Sequence, residues 1–274
     1  MPEKFVFFGT PYVARDTLTY LIEHGFTPSL VVTSADAPRG RGLTLTPCET
    51  KVYAQEKNLN VISPERLSPD VLQEIRACGA QFGIVVAYGK FLPEPLLHLL
   101  PQGAINVHYS LLPKYRGASP VETALLNGDT VTGVSIQKMV KEMDAGDVLA
   151  MREVAIEQTE TTRELRPRLI ALGAKLLVEI LPTYLRGELS GTPQNPAEVT
   201  FAKKIAKHEG ELDMAGDAQL NWNKYRAFAE NPGTFFFKNG KRIKIKTAKF
   251  ENGVFTPLRV IPEGKTETDF SAIR

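Results

Sequence analysis

The 274-residue chain contains four histidines, and one of them, His108, stands two positions after Asn106 in the stretch INVHYSLLPKYRG. On a β-strand, residues i and i+2 project from the same face, so this spacing sets an imidazole beside a carboxamide. The amide is a neutral hydrogen-bond donor and the ring is titratable. Asp144 follows His108 by 36 residues, in the turn MDAGD. The carboxyl ends of strands in a parallel sheet are where α/β folds assemble their sites, so the three side chains are expected to converge. A carboxylate beside an imidazole favours the protonated ring and fixes its tautomer, and an amide N–H stabilises a developing oxyanion. Acyl transfer to an amine uses all three groups. Taken singly, each residue type is more often structural, and spacing alone leaves that alternative open.

Other chemistries find less support. His24, His98, His108 and His208 are scattered without metal-ligand spacing, and Cys48 and Cys78 add none, so no metal is expected. The first strand runs into GTP at 9–11 where a nicotinamide-binding fold would carry GxGxxG.

Positioning such a trio requires a sheet, and the chain alternates between strand and helix patterns. KFVFFG, SLVVTS, NVIS, FGIVVAY, GAINVHYS and TGVSIQKMV read as strands. VARDTLTYLIEHG, ETKVYAQEKN, SPDVLQEIRACG, SPVETALLNG and TTRELRPRLIALGAKLLVEILPTYLRG read as helices, with Pro167 expected in the first turn of the last helix or at a kink. The stretch ADAPRGRGLTLTP reads as a loop. This alternation predicts an α/β, Rossmann-like doubly wound, mostly parallel sheet. LSGTPQNPAEVTFA, with two prolines and no helical period, reads as a linker. The expected division is a catalytic domain at 1–189, a linker at 190–202 and a β-rich domain at 203–274. In the last of these, Asn239–Gly240 between two β-rich runs signals a hairpin.

Composition agrees with a folded globular protein: 43% hydrophobic and 23% charged residues, net charge +2. No run approaches a membrane span and no export signal opens the chain, so a cytoplasmic protein with reduced cysteines is expected. Residues 201–274 carry 14 Lys and Arg against 9 Asp and Glu, leaving residues 1–200 net negative. On a strand, KRIKIK puts Arg242, Lys244 and Lys246 on one face, either as phosphate partners or as a solvated edge.

FFGTP at 7–11, PRGRGLTLTP at 38–47, AYGKFLP at 87–93, NVHYSLLPKYRGASP at 106–120, TGVSIQKM at 132–139 and MDAGD at 143–147 together resemble the methionyl-tRNA formyltransferase family of folate-dependent enzymes. The resemblance continues into FAKKI at 201–205 and NGKRIKI at 239–245. It implies the formyltransferase fold, a C-terminal OB-like domain, and formyl transfer from 10-formyltetrahydrofolate to methionyl-initiator-tRNA by a monomer. By that analogy Asn106 and His108 stabilise the formyl oxygen, while Asp144 orients His108 and manages the proton of the attacking amine. Folate would lie against Ala87, Tyr88, Gly89, Phe91, Leu92, Ser110, Leu111, Leu112, Pro113, Val134 and Gln137. The tRNA would meet Arg39, Arg41, Lys203, Lys204, Lys207, Lys241, Arg242, Lys244 and Lys246.

The tail after NGKRIKI is short for the family, and RAFAENPGTFFF lacks the tryptophan of its Asn-Pro-Trp-Pro-Gly element. A shortened C-terminal domain is therefore expected. The short tail also keeps two alternatives in view: an N-formyltransferase acting on an amino-sugar nucleotide or other small amine, and an RNA-binding protein that retains the folate site without turnover.

Overall fold

FVFFG is apolar in its first four positions, and all five residues are buried, the pattern of a central strand covered on both faces. The computed structural model describes residues 4–39 and 42–273. Its first elements are β1 Phe5–Gly9, α1 Tyr12–Glu23, β2 Leu30–Val32, β3 Ala37–Arg39, β4 Thr44–Thr46, α2 Glu49–Glu56, β5 Val61–Ile62, α3 Pro69–Ala77, β6 Phe82–Val86, α4 Glu94–Leu99 and β7 Ala104–His108. Then follow β8 Arg116–Gly117, α5 Pro120–Leu126, β9 Val131–Lys138, β10 Val148–Ala155, α6 Thr162–Leu185, β11 Phe201–Ala202, α7 Ala218–Ala227, β12 Phe235–Lys238, β13 Lys241–Glu251, β14 Val254–Pro262 and β15 Thr268–Asp269.

Two compact units interleave along the chain: Met1–Arg116, Gly133–Glu153 and Leu169–Val199 form one, and Gly117–Thr132, Val154–Arg168 and Thr200–Arg274 the other. In the first, seven strands run in the order β10-β9-β7-β6-β1-β2-β5. β1 pairs in parallel with β2 and β6, β2 with β5, and β6 with β7, whereas β9 lies antiparallel to β7. The parallel part is a doubly wound sheet whose order reverses at β1. One face buries Val6, Phe8, Leu30, Val32, Val85 and Ala104 with Ile75 of α3 and Leu96 of α4. At the carboxyl ends of the strands, the Thr10 hydroxyl donates to the Tyr88 carbonyl at 3.0 Å and lies 3.1 Å from the Ser34 hydroxyl, tying the exits of β1, β2 and β6 together.

Several local expectations change. The stretch read as a loop at 36–47 holds an antiparallel ladder, with Ala37 opposite Thr46 and Arg39 opposite Thr44. Its small and β-branched residues suit a ladder as well as a loop, so composition did not separate the two. Helix α4 and strand β10 were not foreseen. Pro167 is the sixth residue of α6, past the first turn, yet the helix runs unbroken to Leu185.

In the second unit, β12, β13, β14 and β15 form an antiparallel sheet in that order. The Asn239–Gly240 turn has positive φ at both residues, 52° and 72°, as a two-residue hairpin of its type requires. Trp222 of α7 packs with Phe236, Ile243, Ile245, Phe255 and Val260 to form the core of this unit. Asp217 caps α7 by accepting from the N–H groups of Gln219 at 2.7 Å and Leu220 at 3.0 Å. Arg166 bridges Glu122 at 2.5 Å and Glu230 at 2.8 Å. Burial opposes its charge, but the two carboxylates outweigh that and hold the guanidinium above its ordinary range.

Candidate active site

Alternation along β7 sorts its residues by chemistry. In the β7–β9 ladder Asn106 stands opposite Gln137 and His108 opposite Ser135, so four polar side chains share one face. The intervening Val107 and Val134 turn to the other face, against Gly173 of α6; a Cβ at Gly173 would lie 3.0 Å from Val107 and 3.2 Å from Val134. The polar face carries the chemistry and the apolar face docks the helix.

His108 is 5% exposed. Its Nε2 lies 2.9 Å from the Tyr115 carbonyl oxygen, which can only accept, so Nε2 carries a proton. Nδ1 faces Asp144 Oδ2 at 3.7 Å, within ion-pairing reach and beyond a direct hydrogen bond. The other Asp144 oxygen, Oδ1, accepts from the Gln137 amide at 2.9 Å. Asn106 is half-buried, and its carboxamide stands on the face that bears the imidazole.

The Asp144 turn is held by a residue that sequence reading placed in a linker. Gln194 donates from Nε2 to the Asp144 carbonyl at 2.8 Å and to the Gly146 carbonyl at 2.7 Å. Its Oε1 accepts from Arg116 Nε at 3.0 Å and Nη2 at 2.8 Å. Thr192 pairs antiparallel with Val148, each N–H donating to the other's carbonyl at 2.9 Å, and this brings Gln194 level with Gly146. No local signal marks Gln194: its neighbours are turn formers, and the pairing that places it is long-range.

Around this centre the SLLP turn is fixed from beneath. Ser135 donates to the Ser110 carbonyl at 2.7 Å and accepts from the Leu112 N–H at 3.0 Å, while the Ser110 hydroxyl donates to the Lys114 carbonyl at 2.6 Å. Leu111 and Pro113 are half-buried. On the loop after β6, Ala87 and Gly89 are exposed at positive φ, 46° and 77°, and Phe91 is 70% exposed. Ala87, Gly89, Phe91, Leu111, Pro113 and Gln137 thus remain candidates for a folate-sized ligand. The side chains of Tyr88, Leu92 and Val134, 2%, 4% and 0% exposed, lie in the core, so a ligand contact from these candidates would run through backbone. Val134 and Gln137 are an odd number of residues apart on one strand and cannot share a face. The side chains of Ser110 and Leu112 are buried as well.

The cationic candidates divide. Lys203, Lys204, Lys207, Lys241, Arg242, Lys244 and Lys246 are all exposed, and Arg242, Lys244 and Lys246 alternate with buried Ile243 and Ile245. The Arg242 guanidinium lies 3.8 Å from the ring centroid of Phe235. Arg39 closes the β3–β4 ladder through its backbone, whereas Gly40 and Arg41 lie outside the described residues. Among the described residues, no three His, Cys, Asp or Glu side chains gather where they could hold a metal ion, and no helix is long and apolar enough to cross a membrane.

Known proteins share this arrangement of the chain. The Formyl transferase family matches residues 3–181, and the family described as Formyl transferase, C-terminal domain matches residues 204–261. Methionyl-tRNA formyltransferase of Bdellovibrio bacteriovorus is 44% identical over 249 residues, covering 89% of this chain and 78% of that protein. The Myxococcus xanthus methionyl-tRNA formyltransferase is 40% identical over 262 residues, covering 95% and 84%. Among solved structures, the fold matches an N-formyltransferase from Helicobacter canadensis in complex with folinic acid and dTDP-3-aminofucose, with TM-score 0.70, 18% identity and coverage of 91% and 88%. It also matches methionyl-tRNA formyltransferase from Clostridium thermocellum, with TM-score 0.65, 14% identity and coverage of 96% and 99%. By the identity and extent of these matches, the chain belongs to the methionyl-tRNA formyltransferase family.

Proposed function

We propose that this protein formylates the amino group of methionyl-initiator-tRNA, and that Asn106, His108 and Asp144 are the catalytic residues. The observation that supports this most is their convergence, at the carboxyl end of β7, in a chain 44% identical to a methionyl-tRNA formyltransferase over most of its length. The 10-formyltetrahydrofolate donor supplies an activated formyl group. The donor set suits such a ligand: an amide at Asn106, an imidazole with one nitrogen engaged, and a rim of exposed residues at Ala87, Gly89 and Phe91. The Asn106 amide donates to the formyl oxygen, where negative charge develops during acyl transfer. His108 offers Nδ1, the nitrogen not engaged by Tyr115, on the face shared with Asn106, to stabilise the formyl oxygen and the folate nitrogen, which departs as the formyl C–N bond breaks and takes up a proton in place of the one the amine gives up. Asp144 Oδ2, 3.7 Å from that nitrogen, orients the ring and receives, through water, the proton of the attacking amine.

The exposed cations of the second unit, Lys203, Lys204, Lys207, Arg242, Lys244 and Lys246, are the proposed phosphate contacts, together with Arg39 and Arg41. The proposed domain division remains 1–189, 190–202 and 203–274, and the enzyme is read as a cytoplasmic monomer. The deciding experiment supplies 10-formyltetrahydrofolate with Met-charged initiator tRNA, Met-charged elongator tRNA, free methionine or an amino-sugar nucleotide. Product on the initiator alone supports the proposal; product on the amino sugar transfers the same chemistry to a small acceptor.

A further inference from the structure

The Asp144 turn is under unusual local constraint. Asp144 itself has φ 53°, in the left-handed region that non-glycine residues rarely occupy. Two residues on, a Cβ at Gly146 would collide with the Lys138 carbonyl oxygen. A carboxylate on so tight a turn needs an external hold, because rotation of one peptide would swing Oδ2 away from the imidazole. Hydrogen bonds within the turn do not provide one from outside.

We infer that Gln194 is a positioning residue for the reaction, acting through Asp144. Its carboxamide bonds both turn carbonyls, Asp144 O at 2.8 Å and Gly146 O at 2.7 Å. Oε1 accepts two N–H bonds from one edge of the Arg116 guanidinium, which fixes the amide orientation and disfavours a flip that would aim oxygen at the two carbonyls. Arg116 is 7% exposed and is itself paired with Glu142 at 3.4 Å. The chain of contacts is continuous: Arg116 orients Gln194, Gln194 holds the turn, and the turn presents Asp144 to His108. Meanwhile Gln137 fixes the carboxylate torsion from the opposite strand at 2.9 Å.

This inference rests on the formyl-transfer reading only for its kinetic test. Gln194→Ala removes the hold, and Gln194→Glu keeps the acceptor for Arg116 but has no N–H for either carbonyl. Both variants are expected to fold with a modestly lowered melting temperature, because Arg116 or the two carbonyls lose a partner, and to lose kcat by about 10²-fold at a temperature where they remain folded, the cost of a small misplacement at a reacting centre, with KM for the donor little changed. In the Asp144→Ala background the same substitutions are expected to add almost nothing, as for residues acting through one group. Full kcat in Gln194→Ala, near-wild-type kcat in Gln194→Glu, or an additive loss in the Asp144→Ala background would overturn the assignment. A second arm needs no turnover: the ¹⁵N chemical shifts of the His108 ring in Gln194→Ala should move toward those in Asp144→Ala, and unchanged shifts would likewise overturn it. Absence of transfer by the wild-type chain would count against the formyl-transfer reading and leave this second arm to decide.

Discussion

Nε2 of His108 donates to the Tyr115 carbonyl at 2.9 Å, and this single contact decides which nitrogen is left for chemistry. Tyr115 has φ 61°, a left-handed conformation that turns its carbonyl back onto β7. With Nε2 occupied, Nδ1 is the nitrogen directed at Asp144 Oδ2, 3.7 Å away. Neutral His108 is therefore expected as the Nε2–H tautomer. Imidazole ¹⁵N chemical shifts check this, and an Nδ1–H signature would reverse the roles of the two nitrogens.

Removing the oxyanion donor should act on rate. Asn106→Ala is expected to lower kcat by about 10²–10³-fold with a modest change in KM, the usual effect of deleting one such donor. Asn106 is half-buried and lies outside the hydrophobic core, so stability should change little. Steady-state kinetics and a melting curve separate the two effects, and an unchanged kcat would remove Asn106 from the mechanism.

Gly146→Ala should damage the same turn by a steric route. The added Cβ meets the Lys138 carbonyl, which is fixed in β9, so the turn must move. A loss of about 1–3 kcal/mol of stability is expected, as for other overpacking changes, accompanied by a fall in kcat. Denaturant unfolding combined with initial rates tests both.

Tyr88 offers a contrast, since its side chain sits in the core and its hydroxyl has no partner among the described residues. Tyr88→Phe should stabilise the protein by about 1 kcal/mol, because a buried hydroxyl without a bond costs free energy, and should leave transfer intact. Burial pushes the Tyr88 phenol from 10.0 up to about 12. The neutral form is therefore favoured by folding, so this contribution is complete below pH 10 and is lost as pH rises toward 12. Tyr184, also raised by burial to about 12, adds to the same alkaline loss. Unfolding followed across that window should be less steep in Tyr88→Phe.

The basic strand makes a prediction about salt. Replacing Arg242, Lys244 and Lys246 with Ala should raise KM for tRNA and leave KM for the folate donor unchanged. If each meets a phosphate, the slope of log KM against log salt concentration should fall by about 1 per residue. An unchanged slope would make the stripe a solvated edge.

The sequence by itself determined the alternation of elements, the shared face of Asn106 and His108, the Asn239–Gly240 hairpin, and the family. Each depends on short-range physics: the two-residue period of a strand, the helical period, the left-handed preference of Asn and Gly, and motifs kept in order. Tertiary structure alone decided the rest. Tyr88 and Leu92 lie in a motif that reads as ligand-facing, yet the sheet buries their side chains, because burial depends on what packs above a residue. The antiparallel placement of β9 set Gln137 opposite Asn106, a register no local pattern encodes. Gln194 was unreadable for the same reason: a pairing between Thr192 and Val148, 44 residues apart in sequence, carries a linker glutamine to the Asp144 turn.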